Sequence, residues 1–325
     1  MKAALRCPVI GPQDAEYSRA RTVYNAMIDK RPAAVVGCAD AADAAAAVDF
    51  IRDNGLELAV RGGGHSGPGL CLVEDGVTVD LSAMRRIEVD PVARTARADG
   101  GCRLRELDHA THEFGLATPG GIVSTTGIGG LTLGGGHGYL TRTYGLTVDN
   151  LLGADVVLAD GSFVSVSETD HPDLFWALRG GGGNFGVVTS FTYRLHPVDT
   201  LGFVITLWPV DGTREVLAWY RDFLPRAPED VYAYFALFVV PPVPPFPEEL
   251  HGQRMCGIVG CDYWQEMHPH SMGGSYVNFM GEDEGRDRVR NTYGDHYDRL
   301  SRVKRTYDPD NLFRANQNIE PARNP

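Results

Sequence analysis

The chain has 325 residues, of which 43% are hydrophobic and 22% charged, and its formal net charge is −12. This length is enough for two domains with substantial cores. The acidic balance, without a Lys/Arg cluster, argues against nucleic acid as a partner. The first residues form no signal-peptide core and no apolar run is long enough to span a membrane, so we expect a cytoplasmic protein without a membrane partner.

The cysteines and histidines do not indicate a metal centre. The six cysteines, at positions 7, 38, 71, 102, 256 and 261, form no CxxC pair. We interpret them as free thiols of a reducing compartment. The pairs His109/His112 and His268/His270 have no Cys or carboxylate cluster to complete a ligand set, so we expect no metal.

The first predicted elements form a helix–strand unit that ends in a glycine-rich turn. Residues 41–54 are alanine-rich and are followed by Gly55, which predicts a helix with a glycine cap. The apolar run 56–60 predicts a buried strand. It leads into Arg61–Gly67, with the sequence RGGGHSG. Successive glycines permit positive φ angles and direct several N–H groups into one concavity, which suits a pyrophosphate.

The next part of the chain alternates short strands and helices. Residues 77–81 predict a strand, and 86–89 with 93–98 predict a hairpin. Residues 103–114 predict a helix with Leu104, Leu107 and Phe114 on one face. A second hairpin is predicted over 153–158 and 162–167, and a strand over 187–195. Local αβ units together with antiparallel hairpins indicate an α+β fold.

The character of the chain changes after residue 198. Aromatic and β-branched runs predict strands over 202–208, 231–240 and 255–261, around a helix that contains Trp219. Residues 241–247 are proline-rich and predict an extended link. Tyr293, Tyr297, Leu300 and Val303 recur at helical spacing, which is typical of a packing face.

Four segments, taken in order, resemble the FAD-linked oxidases of the vanillyl-alcohol oxidase and p-cresol methylhydroxylase (PCMH) superfamily. They are the turn Arg61–Gly67, the glycine-rich segments 120–138 and 180–188, and Asn316-Gln317-Asn318-Ile319. Within that superfamily the chain looks like the berberine bridge enzyme-like branch. The resemblance covers most of residues 15–197 and 262–321.

The resemblance implies a two-lobed, PCMH-type FAD-binding domain over residues 1–198. It also implies a substrate domain over 199–306 and a C-terminal tail, 307–325, that returns to the FAD domain. In the family, the strand similar to 256–260 begins a long stretch of further sheet and helices. Here Cys261 runs almost directly into a segment similar to one much nearer the family's C-terminus. We therefore expect a shortened α/β substrate domain with an antiparallel sheet.

The family attaches its flavin covalently to the histidine that His65 matches. The alternative is a histidine that contacts FAD without a bond. Many relatives add a second bond through a cysteine, but this chain has Val123 there, which implies a single attachment. The candidate cofactor-binding residues are Arg61, Gly62, Gly63, Gly64, His65, Ser66, Gly121, Val123, Ser124, Thr125, Gly127, Gly130, Gly134, Gly136, His137, Gly138, Val187, Asn316 and Asn318. For Val187, a plain strand residue is an equally good interpretation.

The candidate catalytic residues are Tyr276 and Asn278, which strand alternation would place on one face. In the family this segment lines the substrate side of the flavin. A tyrosine there could act as general base if its neighbours lower its pKa from about 10. Ordinary packing of Tyr276 is the rival interpretation, and Tyr139 and Tyr144 are weaker candidates.

These features predict an FAD-dependent oxidoreductase that transfers a hydride from an alcohol, sugar, phenol or amine carbon to covalently bound flavin. Molecular oxygen or another acceptor would then reoxidise the flavin. The competing hypothesis is a non-catalytic flavin-binding protein that has lost much of its substrate domain. A nicotinamide-dependent dehydrogenase is disfavoured, because neither the strand before a dinucleotide fingerprint nor the acidic residue after it is evident.

Overall fold

The computed structural model describes residues 1–198, 202–227, 231–243, 246–262 and 285–322. Within these ranges, no helix is both long and apolar enough to cross a bilayer. The α-helices are, in chain order, α1 (Tyr17–Ala20), α2 (Ala41–Asp53), α3 (Leu104–His112), α4 (Ile128–Leu133), α5 (Thr141–Tyr144), α6 (Pro172–Leu178), α7 (Thr213–Phe223), α8 (Gly285–Tyr293) and α9 (Tyr297–Tyr307).

A four-stranded sheet carries the first glycine-rich turn. In spatial order its strands are β1 (Val9–Ile10), β2 (Ala34–Gly37), β4 (Val77–Asp80) and β3 (Leu58–Arg61). Strands β2, β4 and β3 are parallel, and β1 is antiparallel to β2. Helix α2 packs on this sheet through fully buried Ala44, Ala47 and Val48. The side chain of Asp40 caps α2 by accepting a 2.9 Å hydrogen bond from the N–H of Asp43.

A five-stranded antiparallel sheet forms the second lobe. Its spatial order is β5 (Ile87–Asp90), β6 (Thr95–Asp99), β10 (Val187–Arg194), β8 (Leu151–Val157) and β9 (Phe163–Ser167). Phe191 and Tyr193 of β10 are fully buried in a core that includes Leu174 of α6 and Leu300 and Val303 of α9. Helix α6, from the middle of the chain, and α9, from near its C-terminus, therefore complete this lobe.

Two smaller sheets follow. Strand β7 (Leu116–Ala117) pairs with β11 (His196–Pro197). The region after residue 198 forms a three-stranded antiparallel sheet in the order β12 (Gly202–Pro209), β14 (Arg254–Asp262) and β13 (Tyr232–Val239). Helix α7 lies against it, and the Tyr220 hydroxyl donates a 2.8 Å hydrogen bond to the carbonyl of Ala233.

The predicted α+β class is confirmed, with a parallel αβ lobe beside an antiparallel one. Two details differ from the sequence expectations. Helix α3 ends at His112, so Phe114 lies beyond its buried face and is 48% exposed. The packing face expected over 293–303 is confirmed, since Tyr293, Tyr297, Leu300 and Val303 all contact one core, but it spans two helices, α8 and α9, which are interrupted at Gly294, at φ +49°. The domain boundaries expected after residues 198 and 306 stay predictions.

Candidate cofactor and active site

A cavity of about 430 Å³ is walled by the turn after β3, the second and third glycine-rich segments and the C-terminal tail. This volume lies in the range of small-molecule sites. Among the described residues that line it, none is Lys, Arg, Asp or Glu. An anionic group in this cavity would therefore depend on backbone N–H groups and side-chain amides.

The first and second glycine-rich segments touch through their backbones. A Cβ added at Gly63 would lie 2.5 Å from Cα of Gly127, and one added at Gly127 would lie 2.7 Å from Cα of Gly63. These separations are too short for any real side chain, so the approach requires glycine on both sides. Gly64, at φ +71°, then turns the chain immediately before His65.

His65 lies beside this contact, on the cavity wall. Its Nε2 is 2.8 Å from Oγ1 of Thr125, and its Nδ1 is 3.4 Å from Oγ1 of Thr126. The imidazole also stacks on Tyr24, with ring centroids 4.0 Å apart. Burial, and to a smaller extent the charge of Arg103, lower the pKa of His65. The ring is therefore held in one orientation and is neutral at neutral pH.

Arg61 precedes this turn but does not line the cavity. Its buried guanidinium forms hydrogen bonds of 3.1 and 2.6 Å to the carboxylate of Asp80, and it also contacts the carbonyl of Ala20. This paired geometry fixes β3 against β4. The structure thus places Arg61 where it supports the turn from behind.

The C-terminal tail supplies an amide to the cavity. Nδ2 of Asn316 donates a 2.9 Å hydrogen bond to the carbonyl of Gly183. Its Oδ1 is buried and has no hydrogen-bond partner among the described residues. A buried acceptor of this kind is costly unless a ligand satisfies it. Asn316 is therefore suited to receive a hydrogen bond from a bound cofactor.

A fully buried ion pair fastens that tail. Nζ of Lys304 donates hydrogen bonds of 2.7 Å to the carbonyl of Asn184, 2.6 Å to Asp308 and 2.8 Å to the carbonyl of Phe313. Asn184 and Phe313 both line the cavity. Burial lowers the pKa of Lys304 to about 8, against the opposing effect of Asp308. Lys304 therefore joins two walls of the site from behind.

His137 brings the three-stranded sheet into contact with the cavity. The hydroxyl oxygen of Tyr232, on β13, lies 3.3 Å from Nδ1 of His137, and Tyr139 meets the same tyrosine edge-on. Burial lowers the pKa of His137 and raises that of Tyr232. At neutral pH the pair is thus a neutral imidazole beside a protonated phenol.

Sequence reasoning missed Tyr232, Tyr293 and Lys304. Tyr232 belongs to a strand whose apolar composition suggested only core, and Tyr293 lines the cavity although its spacing suggested packing. Lys304 stands four residues before Asp308, a spacing that predicts a helical ion pair but does not show that the pair is buried.

The structure brings most of the expected cofactor residues to one cavity and leaves others outside its lining. The lining contains Gly62, Gly63, Gly64, His65, Ser66, Gly121, Val123, Gly127, Gly130, His137 and Asn316. It does not include Arg61, Ser124, Thr125, Gly134, Gly136, Gly138, Val187 or Asn318. Tyr276 and Asn278 lie outside the described residues.

Comparison with protein families gives two matches. Residues 32–167 match the FAD binding domain, and residues 275–320 match the berberine and berberine-like family. The first match contains His65 and both turns that meet at the cavity. The second contains the tail that carries Asn316.

Curated relatives match over about two thirds of the chain. An uncharacterized FAD-linked oxidoreductase, YgaK of Bacillus subtilis, is 36% identical over 69% of this chain and 51% of its own length. The (R)-6-hydroxynicotine oxidase of Paenarthrobacter nicotinovorans is 36% identical over 69% of this chain and 50% of its own. Glucooligosaccharide oxidase of Sarocladium strictum is 40% identical over 63% of this chain and 43% of its own length. The chain thus spans about half the length of the curated relatives it matches.

Solved structures share the fold. A 6-hydroxy-D-nicotine oxidase from Arthrobacter nicotinovorans aligns with a TM-score of 0.79 and 24% identity, over 98% of both chains. Glucooligosaccharide oxidase from Acremonium strictum, described with a 6-S-cysteinyl, 8α-N1-histidyl FAD, aligns with a TM-score of 0.75 and 21% identity, over 99% of both.

Proposed function

Because the chain belongs to the FAD-linked oxidoreductases, with an FAD-binding and a berberine-like domain, we propose that it is an oxidase that holds FAD covalently through His65. The observation that carries this proposal is the position of His65. Two touching glycine turns and a pair of threonines hold its imidazole on the wall of the cavity. When bound, FAD accepts a hydride from the substrate carbon.

The cavity fits this cofactor by its chemistry. Its walls offer glycine backbone and no charged side chain among the described residues, which suits a pyrophosphate held by N–H groups. The unpartnered Oδ1 of Asn316 can accept a hydrogen bond from the cofactor. Ile122 and Val123, 39% and 41% exposed on the same wall, offer apolar surface for a flavin ring.

The contacts of His65 favour attachment through Nδ1. We propose the tautomer in which Nε2–H donates to the hydroxyl of Thr125, 2.8 Å away, because the partner of Nδ1, the hydroxyl of Thr126, is more distant at 3.4 Å and engages that nitrogen less. Nδ1 then keeps its lone pair and can act as a nucleophile. The histidyl attachment named for the glucooligosaccharide oxidase supports this assignment, and Val123 supports a single bond.

On the substrate side, His137 is the described residue best suited to take a proton. In the orientation that we propose, its Nδ1–H donates to the phenol oxygen of Tyr232, which leaves Nε2 free toward the cavity. A neutral imidazole so oriented can accept the proton of a substrate hydroxyl or amine as the hydride leaves. Tyr276 stays the second candidate for this role.

The relatives support a small substrate with an oxidisable C–O or C–N bond. The names of two of them specify a hydroxylated nicotine and a glucooligosaccharide. We propose the same chemical class for this chain, and molecular oxygen as the final acceptor. Because we expect a shortened substrate domain, we also propose that flavin binding is more robust than turnover.

The test is anaerobic reduction of the purified flavoprotein by a panel of oligosaccharides, alcohols and hydroxylated N-heterocyclic amines. Loss of the flavin absorbance with at least one compound, followed by hydrogen peroxide formation on admission of air, supports the oxidase. Full flavin content without reduction by any of these compounds would favour the non-catalytic flavin-binding alternative. Rapid turnover of many alcohols and sugars, at about 1–1000 per second, would contradict the expected weak turnover.

A further inference from the structure

Two cysteines meet at the edge of the first sheet, and neither lines the cavity. Strand β1 pairs with β2 in an antiparallel register that places Val9 opposite Val36. The N–H of Gly37 donates a 2.9 Å hydrogen bond to the carbonyl of Pro8, so the same register continues toward the N-terminus. Extended one residue beyond this hydrogen bond, the register pairs Cys7 with Cys38.

The hydrogen-bond pattern brings these two side chains close together. Since Pro8 and Gly37 form a hydrogen-bonded pair, Cys7 and Cys38 form the next, non-hydrogen-bonded pair. The N–H of Cys38 accordingly turns away and donates to the carbonyl of Asp80 on β4, at 2.9 Å. Non-hydrogen-bonded pairs have Cα atoms about 4.5 Å apart. This separation lies within the range of about 4.4–6.8 Å that a disulfide requires.

The two thiols also share one environment. Both belong to the same buried cluster, with Cys38 fully buried and Cys7 8% exposed. A hydrogen bond from Cys38 is among the contacts that act on the Cys7 thiol. Cys71 and Cys102 lie in separate clusters, which makes them natural controls.

A neighbouring ion-pair network holds Cys7 in this register. Nε of Arg6 donates a 2.6 Å hydrogen bond to Asp43, and its NH2 group donates a 2.7 Å bond to Asp40. Both carboxylates belong to the start of α2, directly after Cys38. The segment that carries Cys7 is therefore tied to the segment that carries Cys38 on both sides of the pair.

We infer that Cys7 and Cys38 are a modification site, at which a two-electron oxidant such as a peroxide joins them in a reversible cross-strand disulfide. One thiolate attacks the peroxide and becomes a sulfenic acid, and the second thiol displaces its oxygen as water. Overall, the two thiols lose two protons and two electrons, and hydrogen peroxide becomes two molecules of water. The inference does not depend on the proposed function, since the oxidant can be added.

The surroundings of the two thiols make their oxidation slow at neutral pH. Burial raises the pKa of both thiols, and the charge of Asp43 raises them further. Since only the thiolate attacks peroxide, the rate should rise about tenfold per pH unit below the thiol pKa. The pair is thus expected to stay reduced under mild conditions and to respond to sustained oxidation.

The disulfide would stabilise the first lobe. It would close a loop of about 30 residues between β1 and β2, and such cross-links typically contribute enough to raise the Tm by ~5 °C or more. Strands β2 and β3 belong to the same sheet, and β3 is followed by the turn that carries His65. The disulfide would therefore stabilise an edge of the lobe that carries His65.

The test is peptide mapping of the folded wild-type protein after hydrogen peroxide treatment at pH 8.5, with N-ethylmaleimide added before unfolding. Without reduction, the tryptic peptides 7–19 and 31–52 should appear joined, two hydrogens lighter than their sum, and reductant should separate them. The oxidised protein should also melt at a higher temperature. Cys7→Ser should abolish the joined peptide and the Tm rise, whereas Cys71→Ser should keep both.

Three results would overturn the inference. Residues 7 and 38 could both remain free for alkylation throughout. Either cysteine could pair with a different one. Cys7 could accumulate as sulfinic acid while Cys38 stays a thiol. The wild-type map decides among these outcomes even if a serine variant fails to fold.

Discussion

The hydroxyl oxygen of Thr125 lies 2.8 Å from Nε2 of His65, whereas we assign the flavin bond to the other ring nitrogen, Nδ1. We predict that Thr125→Val, which removes this hydroxyl and keeps the side-chain shape, slows covalent flavin attachment by about three- to tenfold, the usual value of one hydrogen bond. The rate is measured on protein expressed without flavin and then incubated with FAD, as the flavin that stays with the protein when samples are acid-precipitated at successive times. Thr125→Ser should restore the wild-type rate of attachment. Equal rates for the valine and serine variants would show that the hydroxyl of Thr125 has no part in the attachment.

The geometry at His65 shows how far sequence reasoning reached. The glycine motifs predicted a concavity with His65 in it, because only glycine permits the turn and the close approach to Gly127. Sequence could not show that the guanidinium of Arg61 forms its hydrogen bonds with Asp80. That pairing depends on two strands, 19 residues apart in the chain, becoming parallel neighbours. Likewise, the contact between His137 and Tyr232 joins the loop after α4 to strand β13, at positions 95 residues apart.

The contact between Tyr232 and His137 yields a prediction about the base. Tyr232→Phe removes the phenol oxygen that receives the Nδ1–H of His137, which makes the imidazole a weaker base. The rate of flavin reduction by substrate should fall about three- to tenfold. The acidic limb of its pH profile should move to lower pH, because the imidazolium loses a stabilising partner. Stopped-flow reduction across pH 5–8 measures both.

Tyr220→Phe is the matched control for that experiment. Its hydroxyl donates to the carbonyl of Ala233 under α7, and Tyr220 does not line the cavity. The control should leave the pH profile unchanged. If both variants behave alike, the contact with His137 has no part in proton transfer.

Tyr276 provides an independent test of the sequence hypothesis. As general base it should contribute roughly a hundred- to ten-thousand-fold in rate. Tyr276→Phe should then slow flavin reduction by that factor while the flavin content and spectrum stay nearly unchanged. A normal rate of flavin reduction in this variant, together with a slow rate in Tyr232→Phe, would identify His137 as the group that accepts the substrate proton.

The Lys304–Asp308 pair predicts a pH dependence of stability. Burial lowers the pKa of Lys304 from 10.5 to about 8 in the folded protein. Between these values the unfolded chain binds more protons than the folded one, so this group makes the free energy of unfolding rise with pH, by up to about 3 kcal/mol. Lys304→Met lacks this rise, and at pH 7 it should be destabilised by about 3–5 kcal/mol because Asp308 loses its partner.

Urea unfolding of both proteins from pH 7 to 10 measures the effect. The gap between wild type and Lys304→Met should widen as the pH increases. Stability curves that stay parallel would show that Lys304 keeps its ordinary affinity for protons in the fold.

The covalent bond at His65 is the central claim, and mass spectrometry of the tryptic peptide 62–85 tests it most directly. The account predicts that wild-type protein stays yellow after acid precipitation and that this peptide carries the flavin mass on His65. His65→Ala should retain only dissociable FAD, whereas replacing the exposed His109 by alanine should change nothing. Complete release of FAD from denatured wild-type protein, with an unmodified 62–85 peptide, would contradict the account.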